Sequence, residues 1–222
     1  MTTALRAPRP LGDTETGPGP GVQPASAGEF CSIDAGELLR LRARLGERPE
    51  YRSGAPSLTL FAAQAVLAAL ADEGLLPAGH ERQPFLLSDP LGGPGGDGPA
   101  LIQPRLSGAA TRPPGSGPLP GLADLGTLLR GASSAPLAAL PPGTVLVTEL
   151  AADSGAPALA PGALAALGLG AVRDRAWATD GELAVRPVLT LGLRVSGGRA
   201  PGSLLARIAG HLGDPLGLAL RR

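Results

Sequence analysis

The stretch Gly168-LGAVRDRAWATDGELAVRPVLT-Leu191 decides the fold. Asp180-Gly181 stands at its centre as the strongest short-range hairpin signal in the chain, because glycine takes the positive φ that two-residue turns between antiparallel strands require. The flanking runs predict strands over 167–178 and 182–195. Working outward, the alternation of β-branched and apolar residues over 144–150 predicts a further strand, and short strands are expected over 84–88 and 100–106. Helical spacing follows elsewhere. Asp34 and Glu37 have the spacing of a capping box, with Leu38, Leu41 and Leu45 behind them, so a helix is expected from Asp34 to about Arg48. Residues 57–72 are apolar on almost every side, as in a helix buried between layers. Further helices are expected over 122–130 and 203–212, the last stopping near Gly213 with Pro215 beyond. Strands interleaved with helices, plus a hairpin, imply an α/β sandwich with a mixed sheet.

Composition excludes several classes of function. The chain has 222 residues and balances 19 basic against 19 acidic side chains, every basic one an arginine. There is thus no electrostatic case for nucleic acid or an anionic membrane as partner. A single cysteine, Cys31, rules out an internal disulfide framework. The N-terminus lacks the apolar stretch of a signal peptide and no segment is long enough to span a bilayer, so a soluble, cytoplasmic protein is expected. Residues 1–28, rich in Pro and Gly, are expected to be a flexible tail, and 29–222 a single domain. The glycine-rich 92–99 and proline-rich 111–121 read as loops. With no lysine in the chain, 92–99 cannot complete a phosphate-binding P-loop.

Several segments, taken in order, resemble the catalytic domain of dihydrolipoyl acyltransferases, the core component of 2-oxoacid dehydrogenase complexes. Phe30 to Asp34 followed by Leu38 to Leu45 looks like that family's strand leading into its helix, and Leu58 to Leu70 like its buried helix. Pro142-Gly-Thr-Val-Leu-Val-Thr-Glu-Leu150 stands where the family has G-G-T-F-T-I-S-N-L-G, and the Gly168 to Leu191 stretch precedes the family's S-F-D-H-R-V-V-D-G. The resemblance implies a chloramphenicol acetyltransferase-like two-layer α/β sandwich with a mixed sheet. It also implies oligomers whose active sites lie between subunits.

The departure from the pattern carries as much information as the match. In the family the histidine of the last motif is the general base, yet this chain reads Val188-LTLGLRVSGGRAP-Gly202, without histidine. An ungapped alignment puts Gly197 at the histidine; counting back from Asp214-Pro215 puts Gly197-Gly198 at the motif's Asp-Gly. The family's hydroxyl donor to the oxyanion falls on Thr148. Cys31, Glu149 and Asp153 are candidates to contact substrate because the family places their segments near the channel, and Arg194 and Ser196 flank the altered motif. His80 and His211, the two histidines, read as structural or solvated, Trp177 as hairpin packing, and no metal site is expected.

Two functions follow as expectations. One is a stand-alone, divergent acyltransferase-like protein acting without the histidine base on an acyl or polyketide-like small molecule, by non-canonical acyl transfer, elimination or cyclisation. No cofactor is required, with coenzyme A or a carrier-bound thioester as the donor to consider. The other is a catalytically inactive structural or regulatory subunit. Either would assemble as a homotrimer or as a hetero-oligomer with a related acyltransferase.

Overall fold

The computed structural model describes residues 28–51, 55–75, 85–88, 100–102, 143–150, 152–159, 161–179, 181–197 and 200–220. The loops expected at 92–99 and 111–121, the helix expected over 122–130 and His80 lie outside the described residues, as does the tail up to residue 27. The strands are β1 (Glu29–Asp34), β2 (Phe85–Ser88), β3 (Ala100–Ile102), β4 (Thr144–Glu149), β5 (Ala163–Leu169), β6 (Arg173–Thr179) and β7 (Glu182–Val195). They form one mixed sheet in the order β1-β7-β5-β4-β2-β3, with β6 paired to β7 alone. Strands β2, β4 and β5 run parallel to one another and the other pairs are antiparallel.

Strand β7 organises this sheet. Its 14 residues reach about 46 Å at the usual rise per residue. Residues 188–193 pair with β1, 191–195 with β5, and 182–188 with β6. Strands β5 and β6 therefore lie end to end along the same side of β7. Leu169 faces Leu191 but Arg173 faces Val188, so three residues on one strand oppose two on the other. That one-residue excess is a β-bulge at 170–172, and it splits the expected strand 167–178 in two. It also inverts the alternation: odd-numbered residues of β5 face the core, whereas on β6 even-numbered ones share the corresponding face. The expected hairpin is present, with Gly181 at φ +83°.

Helices α1 (Gly36–Gly46), α2 (Leu58–Asp72), α3 (Gly202–Gly213) and α4 (Pro215–Leu220) cover one face of the sheet. Ile33, Val145, Val147, Leu167, Leu169, Leu189, Leu191 and Leu193 point into this layer and form one apolar cluster with the helices. Helix α2 is buried on every side from Thr59 to Leu70, as its sequence predicts; its many alanines let sheet and helices approach closely. Ser57 caps it by accepting from the Leu60 N–H at 3.2 Å. Gln64, fully buried, donates from Nε2 to the Leu218 carbonyl at 3.2 Å and so ties α4 to α2.

One expectation about helix ends is corrected and one holds. The capping box at Asp34 does not form, because β1 continues through Asp34 and the Ala35 N–H donates to the Pro187 carbonyl at 2.8 Å. The Asp34 carboxylate accepts from the nearby Gly36 N–H, also at 2.8 Å, and lies 3.9 Å from the Arg186 guanidinium, while Glu37 pairs with Arg40. The helix expected over 203–212 ends at Gly213 as its sequence predicts, with Asp214 outside helical geometry, and a further short helix follows. Pro215, suited to a first helical turn, opens α4.

The Glu149 carboxylate accepts from both the N–H of Thr59, at 3.2 Å, and its hydroxyl, at 2.7 Å. A carboxylate on the first turn of α2 satisfies an otherwise unpaired N–H and meets the positive end of the helix dipole. Glu149→Ala is expected to cost about 1–3 kcal/mol of stability, read as a lower urea midpoint with an unchanged slope.

Candidate functional site

The face of the sheet away from the helices is where the hydroxyl of Thr148 emerges. Register partners share a face, so Thr148, Gly168, Gly192 and Phe30 form one row across β4, β5, β7 and β1. Leu146, Ala166 and Arg194 make the row on one side, and Thr190 with Ser32 the row on the other. The middle of this surface is floored by glycine. Into the space left by the missing side chains drops the segment 152–159, which crosses the sheet as a strap.

The contacts of the strap show why those positions are glycine. A Cβ on Gly192 would collide with the Gly155 carbonyl oxygen, and one on Gly170 with the Asp153 carbonyl oxygen. At Gly168 it would lie 2.7 Å from the Gly155 oxygen and 2.9 Å from Leu150 and Pro157. Backbone hydrogen bonds hold the strap's first end: Leu150 N–H to the Leu169 carbonyl at 2.7 Å, and Ala171 N–H to the Ala152 carbonyl at 3.0 Å. Asp153 adds a tether at the surface, accepting from Arg173 at 3.0 Å and Arg175 at 3.3 Å. Those two arginines, chiefly Arg173, hold the Asp153 carboxyl below the usual carboxylate range.

The structure distributes the sequence-derived site residues unevenly. Thr148 and Arg194 are half-buried on the same outer face, about 12 Å apart at Cα by strand spacing and rise. The Thr148 hydroxyl donates to the Glu149 carbonyl oxygen at 3.3 Å. Arg194 lies beside Gly28, whose Cβ would come within 3.6 Å of Nε. Glu149 points the opposite way, into the helix layer, and is engaged by Thr59. Cys31 also faces the helices, opposite Leu191, and packs against the apolar cluster; burial pushes its thiol up. Asp153 sits on the strap. The Ser196 N–H donates to the Leu164 carbonyl at 2.9 Å, closing the end of β7.

Gly197 follows with φ +80° and open space where a side chain would project. It is five residues beyond the level of Thr148 along β7 and two strands across, which separates the two by about 19 Å. Within one chain they do not border a common space. His211 is remote from both, on α3, where Nε2 lies 3.0 Å from Asp72. Sequence reasoning missed one polar pair on the outer face: the Ser32 and Thr190 hydroxyls meet at 3.0 Å, from residues 158 positions apart. No local motif announces such a pair; only the β1–β7 register does. Among the described residues no group of three or more His, Cys, Asp or Glu is placed to hold a metal ion, and no helix is long and apolar enough to cross a membrane.

Two outcomes check this geometry. With a raised thiol pKa, Cys31 is expected to react with iodoacetamide at least about tenfold more slowly than a free cysteine peptide near pH 8. A depressed folded pKa at Asp153 means that its stabilisation is present at neutral pH and lost as pH falls through that depressed value. The melting temperature of Asp153→Asn should accordingly fall less than that of the unaltered protein between about pH 5 and pH 3.

No protein-family model matches the sequence, and none of the curated proteins matches it. Solved structures do. A probable dihydrolipoamide acetyltransferase from Listeria monocytogenes 4b F2365 superposes with a TM-score of 0.59 at 19% identity, over 85% of this chain and 84% of that one. The cubic core of the pyruvate dehydrogenase multienzyme complex gives 0.56 at 16%, over 88% and 84%. The dihydrolipoamide acetyltransferase of Azotobacter vinelandii, studied for the roles of a serine, a histidine and an asparagine in catalysis, gives 0.55 at 17%, over 87% and 84%. The chain has the fold of these acyltransferase domains, the chloramphenicol acetyltransferase-like sandwich expected from its sequence.

Proposed function

We propose that this protein is a divergent member of the acyltransferase fold that binds an acyl or polyketide-like small molecule against the outer face of its sheet, beside Thr148. The observation that supports this most is the placement of Thr148: a hydroxyl at the end of β4, half-buried, on the same face as the Arg194 guanidinium. A hydroxyl there can donate to a carbonyl oxygen on which negative charge develops. Arg194, always charged, is suited to the anionic end of an acyl chain. The stretch from Val188 to Gly202 supplies no histidine, and Glu149 and Cys31 face the other side of the sheet. The chemistry that fits is therefore one in which the substrate brings its own nucleophile or labile proton. Intramolecular cyclisation, elimination, or transfer to an already reactive acceptor meets that condition, with binding and orientation supplying the rate. Coenzyme A or a carrier-bound thioester would act here as a substrate and not as a resident cofactor.

Self-assembly belongs to the same reading. Thr148 and the turn at Gly197 stand about 19 Å apart in one chain, so a site using both ends of the sheet needs two copies, as a homotrimer or with a related acyltransferase. The cytoplasm is the compartment we assign. A catalytically inactive partner subunit is the second reading. It is favoured by the Thr148 hydroxyl being directed to the Glu149 carbonyl and by the strap lying over the glycine floor.

The test is ligand binding followed by turnover. Acyl-coenzyme A and acyl-pantetheine thioesters are expected to raise the melting temperature, with the shift lost in Thr148→Ala and Arg194→Ala, while acetyl transfer to a free thiol stays at the uncatalysed rate. A fast acetyl-coenzyme A-dependent transfer abolished by Thr148→Ala would refute the claim of altered chemistry. No shift with any thioester would leave the inactive-subunit reading.

A further inference from the structure

The two arginines that hold Asp153 belong to a larger cationic surface. Arg173 and Arg175 stand two residues apart on β6, so both emerge on the outer face of the ribbon that β6 forms with residues 182–188 of β7. Register sets Arg186 directly opposite Arg175, which brings their Cβ atoms to about 5 Å, and like charges at that spacing repel. A carboxylate on each flank offsets the repulsion. Asp153 engages Arg173 and Arg175, and Asp34 lies 3.9 Å from Arg186. Glu182, also on this face, stands about 13 Å from Arg186 along β7.

The two flanking carboxylates are held differently. Asp34 ends β1 and also accepts from the Gly36 N–H. Asp153 belongs to the strap and divides its oxygens between two arginines: Oδ1 accepts from Arg173 Nε at 3.0 Å and Oδ2 from Arg175 Nη2 at 3.3 Å. One anionic group gripped by two guanidinium groups, an oxygen each, is the arrangement with which arginine recognises carboxylates and phosphates. The strap's own carboxylate thus occupies an anion site. That site is open to water, the side chains of Arg173, Arg175 and Asp153 being 58%, 43% and 52% exposed. Ion pairs so exposed are weak and exchange with a soluble anion. With Asp153 withdrawn, the cluster of Arg173, Arg175 and Arg186 keeps one carboxylate, Asp34. A phosphoryl group brings up to about two negative charges near pH 7 and three acceptor oxygens, against the single charge of aspartate.

We propose that the fork of Arg173 and Arg175, with Arg186 beside it, binds the phosphoryl group of a small soluble ligand, which enters by displacing the Asp153 carboxylate. The exchange loosens the strap. The Asp153 carbonyl oxygen lies over Gly170, and Ala152 before it accepts from the Ala171 N–H at 3.0 Å. Lifting the carboxylate therefore strains the contacts that hold the strap's first end at the bulge. An anion on the ribbon is thereby coupled to the cover of the glycine floor. The site stands apart from the acyl-binding reading, and its test uses no thioester, so either can fail alone.

Trp177, two residues beyond Arg175 on the same face and the single tryptophan of the chain, reports on the site without a label. Titrating the full chain with inorganic pyrophosphate at constant ionic strength should give a saturable change in its emission, and acetate none. Asp153→Asn should bind pyrophosphate about fivefold more tightly, because the competing exposed ion pairs are gone. Asp174→Asn makes the same charge change on the opposite face of the ribbon and should leave the affinity unaltered. Arg175→Gln/Arg186→Gln should abolish the response while keeping the far-ultraviolet dichroism. Hydrogen exchange over residues 150–155 and at Ala171 should quicken at saturating pyrophosphate. Equal tightening in both aspartate variants, or an equal response to acetate, overturns the proposal, since either describes diffuse charge and not a phosphoryl site. Binding that leaves strap exchange unchanged overturns the displacement of Asp153. No saturable response in the full chain or in Asp153→Asn overturns the site itself.

Discussion

Strand β7 is hydrogen-bonded to three other strands, and its register decides on which face every candidate residue emerges. Because side chains alternate along a strand, a slip of one residue would send Leu189, Leu191 and Leu193 to the outer face and Thr190 and Gly192 into the helices. The buried leucines forbid that. The bulge at 170–172 is the counterpart of this constraint. Were β5 and β6 one regular strand, Arg173, Arg175 and Trp177 would share the face of Leu167 and Leu169. The extra residue turns them outward, where Arg173 and Arg175 reach Asp153.

Glycine pairs with glycine at Gly168 and Gly192, and this determines what the outer face can be. A sheet surface with ordinary side chains would hold the strap about a side chain's height away. Here the strap backbone meets the strand backbone, so among the described residues a peptide segment covers the glycine part of the outer face. The sheet itself then divides the polar residues next to one another in sequence. Thr148 serves the outer surface and Glu149 the end of α2, and neither can substitute for the other although they are adjacent.

The sequence made the large features legible wherever one local rule was enough. Asp180-Gly181 gave the hairpin, and the run of apolar residues over 58–70 gave a helix buried all round. What stayed illegible depended on partners remote in sequence. The bulge appears only when two registers are compared. Asp34 has the spacing for a helix cap, but β-pairing with Val188 extends the strand through it and moves the helix start to Gly36. Candidate site residues were legible as positions and not as directions. Proximity in sequence grouped Thr148 with Glu149, whereas the pleat separates them and brings Thr148 and Arg194 to one face.

The single tryptophan of the chain, Trp177, belongs to the ribbon, and the single tyrosine, Tyr51, is buried in the short helical turn Pro49–Tyr51. Among the described residues the apolar cluster under the sheet is otherwise almost wholly aliphatic, with Phe61 its one aromatic ring. Indole emission from this protein is consequently a local signal. It follows the surroundings of the projecting hairpin and is nearly blind to the packing of α2 against β4, which only the backbone absorption of helices and strands can follow. The amino-acid composition has thus given the molecule two separate optical readouts, one for its periphery and one for its centre.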